Sequence, residues 1–169
     1  GGTDPETSRF SLSVEDQLST NPGLEVELLI PRQPGFGIQN RLGYLRCRPF
    51  DKKCYLDVPS FYPNAPLAAA VSFDVNDFLA LRPQDGQPLD PSWSLDYTRI
   101  ARMEITNHNE PLLLQFESPS IRDAFIGSFT ASMDKRKGFL AKMPDRLSRR
   151  AVANTENDMD LDELPGALQ

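Results

Sequence analysis

Short runs of alternating hydrophobic and polar residues recur along the chain before residue 117. In the clearest run, residues 24–30, one face of an extended strand would carry only leucine, valine and isoleucine. Because successive side chains of a strand point to opposite faces, this period of two predicts a half-buried strand. The same pattern predicts further strands over residues 42–48, 54–58, 68–75, 101–105 and 112–116.

The period of the hydrophobic residues changes after Ser118 and Pro119. Serine is a good N-cap and proline at the first helical position gives up no hydrogen bond, so the pair predicts the start of a helix. Gly138 is expected to end this helix in the left-handed conformation. The apolar residues between have helical spacing: Ile121, Ala124, Phe125, Phe129 and Met133. The pattern therefore predicts a set of antiparallel strands followed by one C-terminal helix.

The fifteen prolines indicate loops between short strands rather than long helices. The longest loop is predicted over residues 82–93, and Trp93 and Leu95 are expected to return the chain to the sheet. One helical turn, with Asn76 as its cap, is predicted over residues 77–81.

The length of the chain favours one folded domain with flexible ends. We predict a flexible N-terminal segment over residues 1–22, the domain over residues 23–140 and a flexible tail over residues 141–169. Hydrophobic residues make up 39% of the chain, which suffices for a modest core. The leading glycines indicate a fragment of a longer protein.

The formal net charge of −6 is distributed unevenly. Residues 151–169 carry a net charge of −5, whereas residues 131–150 carry +5. The predicted domain is therefore nearly neutral and has no overall positive field that would attract a membrane or nucleic acid. The basic residues over 135–150 have few aromatic neighbours, so we interpret them as a solvated helix end and do not expect nucleic acid as a partner.

Two cysteines, Cys47 and Cys54, are too few for the disulfide framework of a small secreted domain. Their spacing is compatible with a bridge across a hairpin, but we expect reduced thiols and an intracellular protein, cytoplasmic or nuclear. With a single histidine in the chain, neither a metal site nor a cofactor is predicted. No apolar run is long enough to span a bilayer.

The sequence EPLLLQFESPSIRDAFIGSF, residues 110–129, resembles the last strand and closing helix of the pleckstrin-homology-like (PH-like) superfold. The resemblance covers residues 24–140 and implies a mainly β, α+β fold, in which an antiparallel barrel or paired sheets are capped by one C-terminal α-helix. Such helices usually place a tryptophan against the barrel, and here Phe125 or Phe129 would take its place. Members of the superfold bind phosphoinositides, peptides or histones, so the resemblance implies a binding module without naming its ligand.

Basic residues cluster in the first predicted hairpins, where they would meet at the mouth between the first strands. Arginine suits phosphate and carboxylate through its bidentate fork, so this cluster is the best candidate for a binding site. The alternative is that these charges are solvated and only favour solubility. The cluster consists of Arg32, Arg41, Arg46, Arg48, Lys52 and Lys53.

In phosphoinositide-binding members of the superfold, the phosphates are held by a basic residue ending the first strand, a basic-x-Arg pair on the second and a later tyrosine. The residues that resemble these positions, in order, are Arg32, Arg46, Arg48 and Tyr55. The resemblance therefore implies phosphoinositide head groups as an alternative to a protein ligand.

Apolar residues are spaced among the acidic residues of the C-terminal tail. Such a segment suits a short motif that folds on a basic, grooved partner, and its spacing loosely resembles a nuclear-export signal. Two alternatives are an acidic solvating tail and a tail that folds back on the basic residues 135–150. The motif residues are Met159, Leu161, Leu164 and Leu168.

An enzymatic function finds little support, because His108 is the only histidine and falls in a predicted turn. We expect a non-enzymatic interaction module, an adaptor or scaffold that binds a peptide segment or assembly partner at the sheet edge or at the loop mouth. A phosphoinositide-binding membrane adaptor and a histone- or chromatin-binding module are the alternatives.

Overall fold

The computed structural model describes residues 13–32, 35–59, 68–86 and 89–143. The chain divides into two compact units, residues 1–137 and 138–169. Every strand belongs to the first unit, and the described part of the second unit is the end of the long helix and the residue that follows it.

One antiparallel sheet forms the first unit. Its strands are β1 (Leu24–Pro31), β2 (Ile38–Arg46), β3 (Lys53–Val58), β4 (Ala68–Asp74), β5 (Phe78–Pro83), β6 (Ile100–Ile105) and β7 (Leu112–Gln115). The helices are α1 (Val14–Leu18) and α2 (Pro119–Lys142). The strand order is β4-β3-β2-β1-β7-β6-β5, so β4 and β5 are the two ends of the sheet.

The predicted fold class is confirmed: the protein is mainly β, and one long helix, α2, follows the last strand in the chain. Strand β1 is central because it pairs with β2 through eight residue pairs and with β7 on its other side. Its inward residues Leu24, Val26 and Leu28 are buried, as the alternating pattern predicted. Strands β1 and β7, the first and last in chain order, are therefore neighbours in the sheet, and helix α2 follows β7 in the chain.

The main core lies between the sheet and helix α2. Phe129 is fully buried, meets Phe78 edge to face at a centroid distance of 5.5 Å and stacks on Phe125 at 5.7 Å. Phe125 also lies 5.0 Å from the ring of Phe116. Aromatic pairs at such distances add to the free energy gained by burying their area. The prediction that Phe125 or Phe129 packs against the sheet is confirmed.

A second, smaller hydrophobic cluster lies on the other face of the sheet. It is built by Leu29, Ile100 and Leu113, and adjacent residues of a strand alternate in direction, so Leu29 points away from Leu28. Residues 89–97 cover this cluster through partly buried side chains, among them Leu95. The long loop before β6 is therefore held to the sheet by its own small core.

The predicted helical turn at residues 77–81 is wrong. Phe78 and Leu81 are buried and belong to strand β5, which pairs with β6. The only helical turn nearby is a 3₁₀ turn, Val75–Asp77, and Asp74 rather than Asn76 caps it by accepting from a backbone N–H. Residues 78–81 are all apolar, so the sequence has no polar–apolar alternation here that would distinguish a strand from a helical turn.

Two further expectations about loops and ends are corrected. Trp93 and Leu95 do not re-enter the sheet, because Trp93 closes a 3₁₀ turn and Leu95 packs on the smaller cluster. Helix α2 starts as predicted, with the N–H of Ile121 donating to Ser118 Oγ at 3.2 Å. It does not end at Gly138, which keeps a negative φ inside the helix, so the helix continues to Lys142.

The predicted flexible N-terminal segment contains helix α1 in its described part. Ser13 caps this helix by accepting from the N–H of Asp16, and Leu18 at its end is buried. The N–H of Cys47 donates to the carbonyl of Leu18 at 2.7 Å, which fixes the segment beside the end of β2.

Replacement of Phe129 by alanine tests the main core. The substitution removes a fully buried ring and leaves a cavity, so we expect the free energy of unfolding to fall by about 3–5 kcal/mol. Urea denaturation measures the change. Phe36→Ala, at a loop residue that is 67% exposed, should change it by less than about 0.5 kcal/mol. Equal effects of the two substitutions would contradict the described packing of α2.

Candidate functional site

The structure divides the predicted basic cluster into two groups. Arg46 ends β2, Lys53 begins β3, and Arg48 and Lys52 lie in the loop that joins these strands. Tyr55 lies directly opposite Arg46 in the β2–β3 register. We use the name β2–β3 loop for residues 48–53, which end at the first residue of β3. The four basic residues lie at or near the two ends of this loop.

The other two basic residues lie elsewhere on the hairpin. Arg32 follows β1 at the β1–β2 turn, and Arg41 lies opposite Leu28. Arg41 donates a hydrogen bond through Nη2 to the carbonyl of Pro59. At about 3.4 Å per residue, Arg41 and Arg46 are separated by roughly 17 Å along β2. The expectation that the whole cluster meets at one mouth between the first strands is therefore wrong, because the second half of β2 lies between the two groups.

Arg46 is held by an ion pair and by an aromatic ring. Its Nε lies 2.5 Å from Asp57 Oδ2, and its guanidinium carbon lies 4.3 Å from the centroid of the Tyr55 ring. The side chain of Asp57 is only 6% exposed, whereas that of Arg46 is 43% exposed. Arg46 thus neutralises a buried carboxylate with one edge and presents the remainder of its fork to solvent.

The β2–β3 loop carries side chains of a different kind. Arg48, Lys52 and Lys53 are exposed, and no hydrogen bond or ion pair joins their side chains to another described residue. Phe50 between them is 68% exposed. The loop therefore places an exposed aromatic ring among cations that pair with no other residue in the described part of the chain.

A polar cleft of about 500 Å³ opens beside this loop. One wall is the segment Leu18–Pro22 that follows helix α1, and the other is formed by the ends of β2 and β3. Ionic and hydrogen-bonding groups dominate the lining, which includes Arg46, Arg48, Asp51, Tyr55 and Asp57.

Gly23 allows the N-terminal wall of the cleft to approach β2. Its φ is +128°, and a Cβ there would lie 2.5 Å from the carbonyl oxygen of Leu45. No other residue type fits this position without a shift of backbone. The wall is therefore set by the Pro-Gly turn that precedes β1.

Arg136 anchors the same region from helix α2. It is only 3% exposed, and it donates through Nη1 to the carbonyl of Arg48 at 2.6 Å. Its Nη2 lies 2.6 Å from Glu15 Oε2 on helix α1, and Ser132 also donates to Glu15. The interpretation of the charges near residue 135 as a solvated helix end is therefore wrong for Arg136, which is a buried structural cation.

Two thiols lie behind the cleft. Cys47 and Cys54 are both buried and reduced, and Arg136 Nη1 lies 3.3 Å from Cys47 Sγ. A hydrogen bond from Cys54, and to a lesser degree the Arg136 charge, holds the pKa of Cys47 below its ordinary value even though burial acts in the other direction. The same hydrogen bond and burial raise the pKa of Cys54. The pair therefore divides into a thiol that ionises more readily and one that keeps its proton.

Other candidate residues have structural roles or lie outside the described ranges. His108 is exposed in the turn between β6 and β7. Within the described part of the chain, no group of three or more histidine, cysteine or acidic residues could hold a metal ion. The tail motif with Met159, Leu161, Leu164 and Leu168 lies outside the described residues.

Sequence reasoning missed Asp57, Asp51 and the wall of residues 18–22. Asp57 gave a usable signal, because a carboxylate inside an otherwise apolar strand needs a cation, and Arg46 is near in the adjacent strand. The wall gave none, because its position depends on a tertiary contact between Leu18 and Cys47.

Comparison with known proteins finds a likeness in structure and none in sequence. No protein-family model matches the sequence, and no curated protein matches it. The structure is similar to the solution structure of the C-terminal PH domain of human pleckstrin, with a TM-score of 0.42, 14% identity, and coverage of 65% of this chain and 78% of that chain.

Seven antiparallel strands followed by a C-terminal helix are the architecture that the resemblance in the sequence implies. None of the described helices is long and apolar enough to cross a membrane.

A double-mutant cycle on Arg46 and Asp57 tests the ion pair at the cleft. Because Asp57 is buried and Arg46 partly exposed, we expect a coupling free energy of about 1–2 kcal/mol, between the surface and buried limits. Urea denaturation of the two alanine variants and the double variant measures it. The exposed pair Arg82 and Glu104 is the matched control and should give less than about 1 kcal/mol. A coupling free energy near zero for Arg46 and Asp57 would contradict a stabilising ion pair at the cleft.

Proposed function

We propose that this protein is a non-enzymatic interaction module whose cleft and β2–β3 loop bind an acidic peptide segment of another protein. The observation that carries the proposal is a group of loop cations, Arg48, Lys52 and Lys53, whose side chains pair with none of the described residues and lie beside an open cleft. A peptide carboxylate placed there gains charge-assisted hydrogen bonds without breaking an existing ion pair.

The paired residues of the cleft support specificity. Arg46 keeps its contact with Asp57, so a ligand meets a guanidinium that is already oriented. Preorganised groups lose less rotamer entropy on binding, which favours selective recognition over general attraction. Phe50 adds an exposed apolar surface at the rim, suited to a hydrophobic residue within the acidic segment.

The edge of the sheet is the alternative position for the same partner. Strand β5 pairs only with β6 among the described strands, and Leu79 on it is 61% exposed. An extended peptide could add to such an edge through main-chain hydrogen bonds. Charge does not favour this position, because Arg82 on the same strand is already paired with Glu104.

Charge reversal in the loop tests the proposal. Acidic peptides selected by phage display on the whole chain serve as probes, and fluorescence polarisation measures their affinity. The triple variant R48E/K52E/K53E should bind them about tenfold more weakly or worse, because like charges would then face each other. The variant R32E/K135E/K142E makes the same change of net charge at exposed positions outside the loop and outside strand β5, and it should bind almost as the wild type. An equal loss of peptide affinity in both variants would mean that overall charge causes the effect, and it would contradict the proposed site.

The substitution Leu79→Asp tests whether the peptide binds at the edge of β5 instead of at the cleft. A loss of peptide binding in this variant, with normal binding by the loop triple variant, would contradict the cleft and place the ligand at the edge of β5.

A second candidate function, binding to an anionic membrane surface, is favoured by Phe50. An exposed aromatic ring among lysine and arginine side chains has the form of a membrane contact, with the ring in the interface and the cations near head groups. The histone-binding alternative depends on the acidic tail, which lies outside the described residues.

Vesicle sedimentation distinguishes this candidate. If the loop contacts lipid, the wild type should sediment with phosphatidylcholine vesicles that contain a phosphoinositide and remain free with phosphatidylcholine alone. F50A and the loop triple variant should each lower the bound fraction, while F36A serves as the matched aromatic control. Binding by all variants alike, or to neither vesicle, would contradict a membrane role for the loop.

A further inference from the structure

The two buried thiols are cross-strand neighbours. In the β2–β3 register Arg46 faces Tyr55, so the next positions outward, Cys47 and Cys54, face each other. The N–H of Cys47 points away from β3, because it donates to Leu18 on the opposite side of the strand. Cys47 and Cys54 therefore have the relation of a non-hydrogen-bonded pair, in which facing side chains approach most closely.

The surroundings make the two thiols unequal. Cys47 accepts hydrogen bonds from Cys54 and from the buried guanidinium of Arg136, whose nearest nitrogen lies 3.3 Å from Sγ. Glu15 and Asp51 face the same thiol with the opposite charge and partly offset Arg136. Cys47 also lines the cleft, whereas Cys54 does not. Both cysteines are only 2% exposed, so the cleft wall at Cys47 is the nearer approach to the pair for a small solute.

We propose that Cys47 and Cys54 form a peroxide-responsive thiol pair that closes to an intramolecular disulfide. The inference is independent of the proposed peptide and membrane ligands. It rests on the facing positions of the two thiols, on the cation beside Cys47 and on the opening of the cleft at Cys47.

The reaction proceeds in two balanced steps. The Cys47 thiolate attacks one oxygen of a hydroperoxide, an S–O bond forms, the O–O bond breaks, and the leaving alkoxide or hydroxide takes up a proton. Cys54 sulfur then attacks Cys47 sulfur, the S–S bond forms, and the S–O bond breaks, with the hydroxide leaving as water with the proton of Cys54. The two thiols lose two electrons, and the hydroperoxide is reduced to an alcohol or water.

Hydrogen peroxide on the folded, reduced chain tests the assignment. Samples are quenched by alkylation in denaturant, and intact mass reports the loss of two hydrogens without alkylation. We expect the wild type to form the internal disulfide, and C54S to stop at a sulfenic acid on Cys47 that a cyclic dione traps. C47S should react about tenfold more slowly, because Cys54 does not line the cleft and lacks the hydrogen bond from Arg136 that Cys47 accepts. Reaction of C47S as fast as C54S would overturn the order of the two thiols.

A comparison that uses only the wild type guards against misfolded variants. The thiols of the native chain should react with peroxide faster than those of the same chain in urea, where the Arg136 contact and the facing positions are lost. Slower reaction of the native chain, or disulfides formed only between two chains, would show that burial protects the pair and would overturn the proposal.

Discussion

The buried guanidinium of Arg136 is the interaction on which the candidate site depends. A charge removed from water is costly unless acceptors surround it, so the sequence around Arg136 has to supply them. They come from two separate segments: Glu15 on α1, and residues 47–48 after β2, which supply the Cys47 thiol and the carbonyl of Arg48. The cleft exists where these segments are brought together.

A second buried arginine fixes the other end of helix α2. Arg122 is 5% exposed and donates through Nη1 to Asp85 and to the carbonyls of Tyr97 and Ile100. It joins the first turn of the helix to the loop before β6, while Arg136 joins the later turns to the end of β2. Between these two points Phe129 supplies the apolar contact. The helix is therefore located by two polar contacts of fixed direction and one hydrophobic contact that has none.

The sequence allowed the strands, the start of α2 and its aromatic contact to be predicted, because each depends on local spacing. Alternation located β1, and the Ser-Pro pair located the helix start. Local spacing does not report which charges become buried. Arg122 and Arg136 looked like ordinary helix-surface cations, and only the contacts made by distant segments distinguish them from exposed Lys135. For the same reason the basic cluster looked continuous, although Arg41 and Arg46 are far apart on one strand.

The division of the cations provides the local positive charge that the proposed anionic ligand would need on a domain that is nearly neutral overall. Arg46, Arg122 and Arg136 each neutralise a carboxylate of their own chain, so they add rigidity and little field. Arg48, Lys52 and Lys53 keep their charge for solvent, and they lie on the loop whose base Arg136 holds. A short-range, local positive surface of this kind acts within a Debye length and not across the molecule. The proposed recognition at this end of the sheet would therefore depend on contact geometry more than on net charge, and the arginines with partners would determine that geometry.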